Sequence, residues 1–200
     1  RKAALSVYPS EEECRAIHAI DSTIRVKPLT AYVWDSFPEV SDFGYEKREG
    51  LLFVGGFAHP PNLDAVLWFL KEVFPEIRAE EPVNFYVAGS KVPEELKALH
   101  NPENGIHILG FVSDERLREL YESCRLVVVP LRYGAGVKGK VIEALYYGAP
   151  VLTTSIGAEG IPAAETVMEI EDSAPGFAAA ALRLYRGMDA VWEALASDFS

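Results

Sequence analysis

From Leu51 onward, short apolar runs alternate along the chain with segments of helical periodicity. The runs have the length of strands, and apolar residues recur three and four positions apart in the segments between them. Short strands separated by helices predict a parallel sheet with helices packed on both faces. We therefore predict an α/β fold built on a doubly wound parallel sheet. The predicted strands are Leu51–Val54, Phe85–Ala88, Ile106–Leu109, Leu126–Val129, Pro150–Thr153 and Val167–Ile170.

The segments between these strands carry helix start signals. Asn62 is the expected N-cap of the first helix after Leu51, and Ser113 is followed by acidic residues that favour a helix start. The predicted helices are Asn62–Phe74, Pro93–Leu99, Asp114–Ser123, Val141–Tyr147, Pro175–Tyr185 and Met188–Leu195.

The part of the chain before Leu51 has a different character. Residues 1–34 are predicted to form a short strand, a helix and an extended segment, and Ser10 and Glu13 form a capping box at the helix start. Residues 35–50 combine Pro38, Gly44 and many charged residues, so we predict a loop or linker there.

The net charge of −11 argues against a nucleic-acid partner, because a phosphate backbone is bound by basic surfaces. A single phosphate group would have to be bound locally, by backbone amides and a few cations. No apolar run approaches the ~20 residues that cross a bilayer, so membrane association is expected only through a part outside this sequence. Cys14 and Cys124 make no disulfide framework and fit a reducing cytoplasm, and no Cys/His spacing predicts a metal site.

Residues 130–145 are the most informative segment of the chain. They leave a predicted strand, pass through a loop that contains Gly134, Gly136 and Gly139, and enter a helix. A helix start presents unpaired backbone amides and the positive end of the helix dipole, which makes it an anion site. Glycines allow the backbone to approach such an anion closely. The segment therefore predicts an anion-binding loop.

Three cations, Arg132, Lys138 and Lys140, lie in the same loop of a strongly acidic chain. Glu143 follows one turn into the helix, where its carboxylate can accept hydrogen bonds from the hydroxyls of a ribose. These groups suit a nucleotide diphosphate, and the alternative is a flexible glycine loop with solvated lysines. The dinucleotide-binding fingerprint is not met, because the loop follows a late strand and no acidic strand end lies about 20 residues on.

Short motifs that follow the predicted strands carry a family resemblance. They are Phe53–Gly56 with His59–Asn62, Val87–Gly89, Gly110–Val112, Val129–Leu131, Gly148–Thr154 and Gly157–Gly160. Together they resemble the C-terminal, donor-binding domain of GT-B glycosyltransferases of the family 4 type (glycosyl transferases group 1). The resemblance implies that residues 1–34 are the end of an N-terminal domain with the crossover segment, and that 51–200 form a Rossmann-like nucleotide-sugar-binding domain.

The resemblance also implies roles for individual residues. Glu143 matches the second glutamate of the family's E-x7-E motif, which holds the donor ribose. The first glutamate of that motif, a contact to the donor sugar, falls on Ala135. Lys138 and Lys140 are expected to stabilise the leaving group. The other implied contacts to the nucleotide sugar are Gly55, Gly56, Gly89, Gly110, Phe111, Val112, Arg132, Gly134, Gly136 and Val137.

The activity implied by the resemblance is transfer of a sugar from a nucleotide-diphosphate sugar to a glycan or lipid acceptor, in the biosynthesis of a polysaccharide, glycan or lipid. The resemblance also implies retention of configuration, no cofactor or metal, and a cytoplasmic location with peripheral association with the inner face of the membrane. We expect this chain to bind the donor weakly without turnover, because the acceptor domain lies outside it. The alternatives are a nucleotide-sugar epimerase and a non-catalytic binding domain, which Ala135 favours.

Overall fold

The computed structural model describes residues 4–29 and 47–187. In the first range, β1 (Ser6–Tyr8) and β2 (Val26–Pro28) form a two-stranded parallel sheet, and α1 (Glu11–Ile20) connects them. The Ser10 hydroxyl oxygen accepts from the backbone N–H of Glu13 at 3.1 Å and donates to the Glu13 carboxylate at 3.2 Å. The predicted serine cap is confirmed, although the Glu13 carboxylate accepts from the Ser10 hydroxyl rather than from the Ser10 backbone N–H.

Residues 47–187 are built around one sheet of six parallel strands in the order β5-β4-β3-β6-β7-β8. This sheet, with the helices that pack against it, confirms the predicted doubly wound α/β fold. The strands are β3 (Leu51–Val54), β4 (Phe85–Ala88), β5 (Ile106–Gly110), β6 (Leu126–Val129), β7 (Val151–Thr153) and β8 (Glu169–Ile170).

All helices of this region except the last, which follows β8, connect successive strands, as parallel pairing requires. The helices are α2 (Pro60–Trp68), α3 (Phe74–Glu80), α4 (Glu94–Lys97), α5 (Asp114–Ser123), α6 (Gly139–Tyr146), α7 (Ser155–Ala158), α8 (Ala164–Val167) and α9 (Ala174–Arg186).

The hydrophobic core lies between the central strands and the helices that cover them. All four residues of β6 are buried, as expected for a central strand of a parallel sheet. On one face an aromatic cluster joins the sheet to the helices: the ring of Phe69 lies 4.6 Å from that of Phe85 and 6.0 Å from that of Phe177. This cluster ties β4 to α9 and to the helical segment that contains Phe69.

The order of the strands creates a crevice at the centre of the sheet. From β3 the chain moves outward to β4 and β5, and it then returns to place β6 on the other side of β3. The connections after β3 and β6 therefore diverge to opposite sides, and such a switch point is where ligands bind in open α/β sheets.

The helix after β3 differs from the prediction. Asn62 does not cap it: the helix begins at Pro60 with His59 at the N-cap, and the Asn62 side chain is buried and engaged elsewhere. Helical structure also continues past Phe74 to Glu80. A π-helical turn over Phe69–Val73 comes just before Pro75 and moves the backbone N–H of Phe74 to the Phe69 carbonyl. The wider turn accommodates a proline ring that would clash in a regular α-helix.

The segment around β8 also differs. The predicted strand Val167–Ile170 is reduced to Glu169–Ile170, because Ala164–Val167 is helical. The segment after β7 contains the short helix α7, which the sequence did not predict and whose first turn is capped by the Thr154 hydroxyl. The predicted helix Met188–Leu195 and most of the predicted linker 35–50 lie outside the described residues.

Candidate functional site

A cavity of about 200 Å³ lies at the carboxyl ends of β3 and β6, in the central crevice of the sheet. Its wall combines the start of α2 with the loop and helix start that follow β6. The lining residues are His59, Pro61, Asn62, Leu131, Tyr133, Gly134, Ala135, Val137, Lys138, Gly139 and Lys140. The predicted glycine-rich loop therefore forms one side of a real concave site.

The backbone of this loop is fixed by its turns and by a buried threonine. The Thr154 hydroxyl donates to the backbone carbonyl of Leu131, which holds the loop against the end of β7. Gly136 has a φ of +78°, a conformation that residues with side chains rarely adopt. Among the described residues no side chain caps the start of α6 at Lys138, so the first amides of the helix, those of Gly139 and Lys140 in the cavity lining, have no side-chain partner. Such amides can bind an anion.

Lys140 is largely buried in the crevice. Its Nζ lies 4.5 Å from the centre of the Phe53 ring and donates to the Asn62 side-chain oxygen. A Cβ placed on Gly55 would lie 2.9 Å from this Nζ, so the ammonium group reaches the backbone of the loop after β3. The lysine therefore joins the two loops of the crevice.

The surroundings of Lys140 disfavour its positive charge. Burial lowers the pKa of Lys140 to about 7, and the nearby charge of Lys138 acts in the same direction. Among the described residues, the group bonded to the Lys140 ammonium is a neutral amide rather than a carboxylate. A ligand phosphate would supply the negative charge that this position lacks.

Asn62 holds Lys140 in place. The Asn62 side chain is 5% exposed, and its amide N–H donates to the Gly56 carbonyl at 2.7 Å. Its oxygen is thereby turned toward Lys140. The sequence interpretation missed this role because an Asn at a helix start predicts a cap. A signal was nevertheless present: the two prolines before Asn62 lack the N–H groups that usually need capping.

Lys138 is engaged within the glycine-rich loop itself. Its side chain is 10% exposed, its Nζ lies 3.1 Å from the Glu159 carboxylate, and it also donates to the Gly136 carbonyl. Lys138 therefore braces the loop against the segment after α7, and its charge is already partly balanced.

Arg132 points away from the cavity. Its guanidinium forms a two-pronged ion pair with Asp64 of α2, with Nε at 2.9 Å from the carboxylate, and it lies over the Trp68 ring. Arg132 is not among the lining residues. The structure therefore separates this cation from the two lysines with which the sequence grouped it.

Glu143 lies one turn into α6 and is not among the residues that line the cavity. Its carboxylate accepts a hydrogen bond from the Tyr121 hydroxyl of α5 at 3.1 Å. Tyr121 is fully buried and stacks on Tyr147, with ring centres 5.3 Å apart. Tyr121 was not among the predicted site residues, so its hydrogen bond to Glu143 is a finding of the structure.

The predicted contacts that follow β3, β4 and β5 do not line the cavity. Gly89 follows β4 and packs so closely on the backbone of Gly55 that a Cβ at Gly89 would lie 1.8 Å from the Gly55 oxygen. Gly56 is exposed beside it. Gly110 ends β5, and Phe111 after it is 80% exposed. Val112 packs partly against the core.

Two further findings concern the described residues alone. Within residues 4–29 and 47–187, no three His, Cys, Asp or Glu side chains gather as metal ligands would. Of the helices in these ranges, none combines the length and apolar character needed to pass through a membrane.

A family model described as glycosyl transferases group 1 matches residues 48–187. An uncharacterized 44.6 kDa protein in the cps region of Klebsiella pneumoniae is 34% identical over 133 residues, which are 62% of this chain and 34% of that protein. An uncharacterized glycosyltransferase of Methanocaldococcus jannaschii is 29% identical over 112 residues, which are 54% of this chain and 27% of that protein. The chain thus spans about a third of the length of these relatives.

Among solved structures, the chain resembles the pneumococcal O-GlcNAc transferase GtfA, crystallised in complex with UDP and GlcNAc. The TM-score is 0.70 at 15% identity, and the match covers 92% of this chain and 39% of that one. At this identity the likeness establishes the fold, that of a GT-B domain.

Proposed function

Because the chain belongs to the family of glycosyl transferases group 1, we propose that it forms the nucleotide-sugar-binding part of a glycosyltransferase. The observation that carries the proposal is the cavity between β3 and β6. Its wall brings together the uncapped start of α6 and the buried ammonium of Lys140. Amides and a cation without an acidic partner are the groups that a diphosphate requires.

The proposed chemistry places the donor diphosphate against this wall. As the bond between sugar and diphosphate breaks, negative charge grows on the phosphate oxygen that leaves. Lys140, Lys138 and the amides around Gly136 and Val137 would stabilise that charge, because they are already oriented before the reaction. This stabilisation uses the chain's own groups, so the proposal includes no metal.

The nucleoside would extend from the diphosphate toward α5 and β5. Glu143 is proposed to accept hydrogen bonds from the ribose hydroxyls, and Gly110, Phe111 and Val112 to lie beside the base. The exposed ring of Phe111 suits stacking against a planar base. UDP is the first probe to choose, because GtfA was crystallised with it.

The acceptor site, retention of configuration and a role in polysaccharide biosynthesis belong to the same proposal. The relative in the cps region supports the last of these. Ala135 lines the cavity and offers no carboxylate to a sugar, so any acidic sugar contact would have to come from another residue. We place the acceptor, and any membrane association from the cytoplasmic side, on parts of the protein outside these residues.

A ligand panel tests the proposal. UDP, GDP and ADP are titrated calorimetrically into the protein, together with the corresponding nucleosides. We expect a diphosphate to bind more tightly than its nucleoside, because the cavity wall contributes amides and a cation. Absence of any diphosphate binding would refute the proposed site.

Glu143→Gln tests the ribose contact. The change keeps the size of the side chain and removes its charge, so the best nucleoside diphosphate should bind more weakly by roughly 1–3 kcal/mol, as for a lost charge-assisted hydrogen bond. Glu119→Gln is the matched control, because Glu119 is exposed on α5 and pairs with Arg116. Equal affinity of E143Q and wild type, by calorimetry, would remove Glu143 from the site.

A turnover assay tests the expectation about activity. Purified protein of residues 1–200 is incubated with labelled nucleotide sugars and with candidate glycan and lipid acceptors. We expect donor binding without transfer, because the proposal places the acceptor site elsewhere and a cleft must close around both substrates to align them. Multiple turnover would show that a complete active site lies within these residues.

A further inference from the structure

We propose that Tyr121 is a positioning residue for nucleotide recognition: its hydroxyl fixes the Glu143 carboxylate so that one carboxylate oxygen remains available to the ribose. This inference rests on the proposed function of Glu143. It starts from one contact, the hydrogen bond of 3.1 Å from the Tyr121 hydroxyl to Oε2 of Glu143.

Tyr121 is anchored as a rigid donor. Its side chain is fully buried, its ring lies nearly parallel to that of Tyr147, with an angle of 15° between them, and Tyr147 lies immediately after α6. The backbone carbonyl of Tyr121 also accepts from Arg48, a buried guanidinium that donates to the Gly148 carbonyl at 3.4 Å. These contacts join α5 to the residues that directly follow α6, the helix that carries Glu143.

The phenol stays a donor over the physiological pH range. Burial and the negative charge of Glu143 both raise the pKa of Tyr121 above its usual value, so its proton is retained. Glu143 itself is partly exposed, and among the described residues Tyr121 is the side chain that bonds its carboxylate. One oxygen is therefore held by the phenol, and the other is left for a ligand.

The acceptor of the Tyr121 hydroxyl is a partly exposed carboxylate. A buried tyrosine hydroxyl needs a hydrogen-bond acceptor, and a backbone carbonyl or a water would satisfy it. Here the acceptor is a charged side chain that is proposed to contact the ligand. A fixed carboxylate loses less side-chain entropy on binding than a free one, which favours affinity and geometric selectivity.

The test compares a ribonucleoside diphosphate with its 2′,3′-dideoxy counterpart, using UDP or whichever of UDP, GDP and ADP binds best. The ratio of the two dissociation constants measures recognition of the hydroxyls. Tyr121→Phe removes one oxygen and keeps the stacked ring. We expect its ratio to fall several-fold toward one, through weaker binding of the ribonucleotide alone. Tyr147→Phe, which removes a hydroxyl from the partner ring, should keep the wild-type ratio.

The outcomes separate this inference from the function on which it rests. A wild-type ratio of one would refute the ribose role of Glu143. If E143Q brought the ratio to one while Y121F kept the wild-type ratio, only the positioning role of Tyr121 would be refuted. In the double variant, Y121F should add nothing to E143Q.

A second measurement needs no variant and therefore does not depend on the folding of Y121F. The Tyr121 hydroxyl proton, buried and hydrogen-bonded, should be visible by NMR. We expect its resonance to shift when the ribonucleotide is added and to stay in place with the dideoxy nucleotide. An identical response to both ligands would overturn the proposal.

Discussion

Replacing Lys140 by methionine is expected to weaken binding of a nucleoside diphosphate by roughly 100-fold. Methionine preserves the apolar stem beside Phe53 and removes the ammonium that joins the loops after β3 and β6. A buried charge-assisted contact to a phosphate is worth about 2–3 kcal/mol, and each 1.4 kcal/mol changes an affinity about tenfold. Calorimetry with UDP, GDP and ADP measures the effect.

The same lysine should make diphosphate binding depend on pH. In the free protein the pKa of Lys140 is about 7, and a bound diphosphate raises it by adding negative charge. Below pH 7 the lysine is charged both in the free protein and in the complex, so it causes no change of affinity with pH there. Above pH 7 binding must take up a proton, and the affinity should fall by up to about tenfold per pH unit until the pKa of the complex is reached. The ligand itself stays ionised there, because the second pKa of a phosphate is about 6.

Two controls isolate this effect. Lys140→Arg keeps a permanent charge, so any binding that it retains should lose the pH dependence between pH 7 and 9. The nucleoside without phosphates should bind K140M as it binds wild type. Equal losses of nucleoside and diphosphate would show that Lys140 acts through the fold rather than through the phosphates.

Replacing Gly89 by alanine is expected to have the largest effect on stability. A Cβ there would lie 1.8 Å from the oxygen and 2.7 Å from the carbonyl carbon of Gly55. Neither atom can move without separating the ends of β3 and β4, so we expect a loss of about 4 kcal/mol or more, or failure to fold. Urea denaturation followed by circular dichroism measures the free energy of unfolding.

Gly110→Ala is the matched control for the Gly89 variant. Gly110 also ends a strand and has a φ of +72°, but a Cβ there would meet no atom within 4 Å. Only the strain of the left-handed backbone remains, which costs about 1–2 kcal/mol. If G89A and G110A were destabilised equally, the close approach to Gly55 would not explain why position 89 needs a glycine.

The fold was predictable because its signal is local. Each of β3, β4 and β6 is a single continuous apolar run in the sequence, and the predicted boundaries match the observed ones for all three. Helix ends were less predictable. The sequence around Pro75 indicates a break, whereas the π-helical turn at Phe69–Val73 lets the helix continue. The helix continues rather than breaks because Phe69 and Phe74 pack against Phe85 of the sheet. A contact between residues so far apart in sequence cannot be predicted from the local pattern.

The sequence predicted the loop that forms the candidate site, but it predicted less well which side chains the loop's residues contact. Spacing placed Arg132, Lys138 and Lys140 together, and the structure brings only the two lysines to the cavity. Arg132 is withdrawn by Asp64, a residue of α2 that is far away in sequence. Long-range pairs of this kind depend on how β3 and β6 meet, so the sequence around each residue carries little information about them.

The pairing of β3 with β6 also determines when a site can exist at all. The cavity draws its wall from residues 59–62 and 131–140, two stretches separated by two complete strand–helix units. Neither stretch encloses a ligand alone, and joining them requires closure of a long loop in the unfolded chain, an entropic cost that local contacts do not offset. Affinity for the proposed ligand should therefore report whether β3 and β6 have paired. A chain cut in the turn between β5 and α5 would leave one wall on each piece, and recovery of binding on mixing would measure their reassociation.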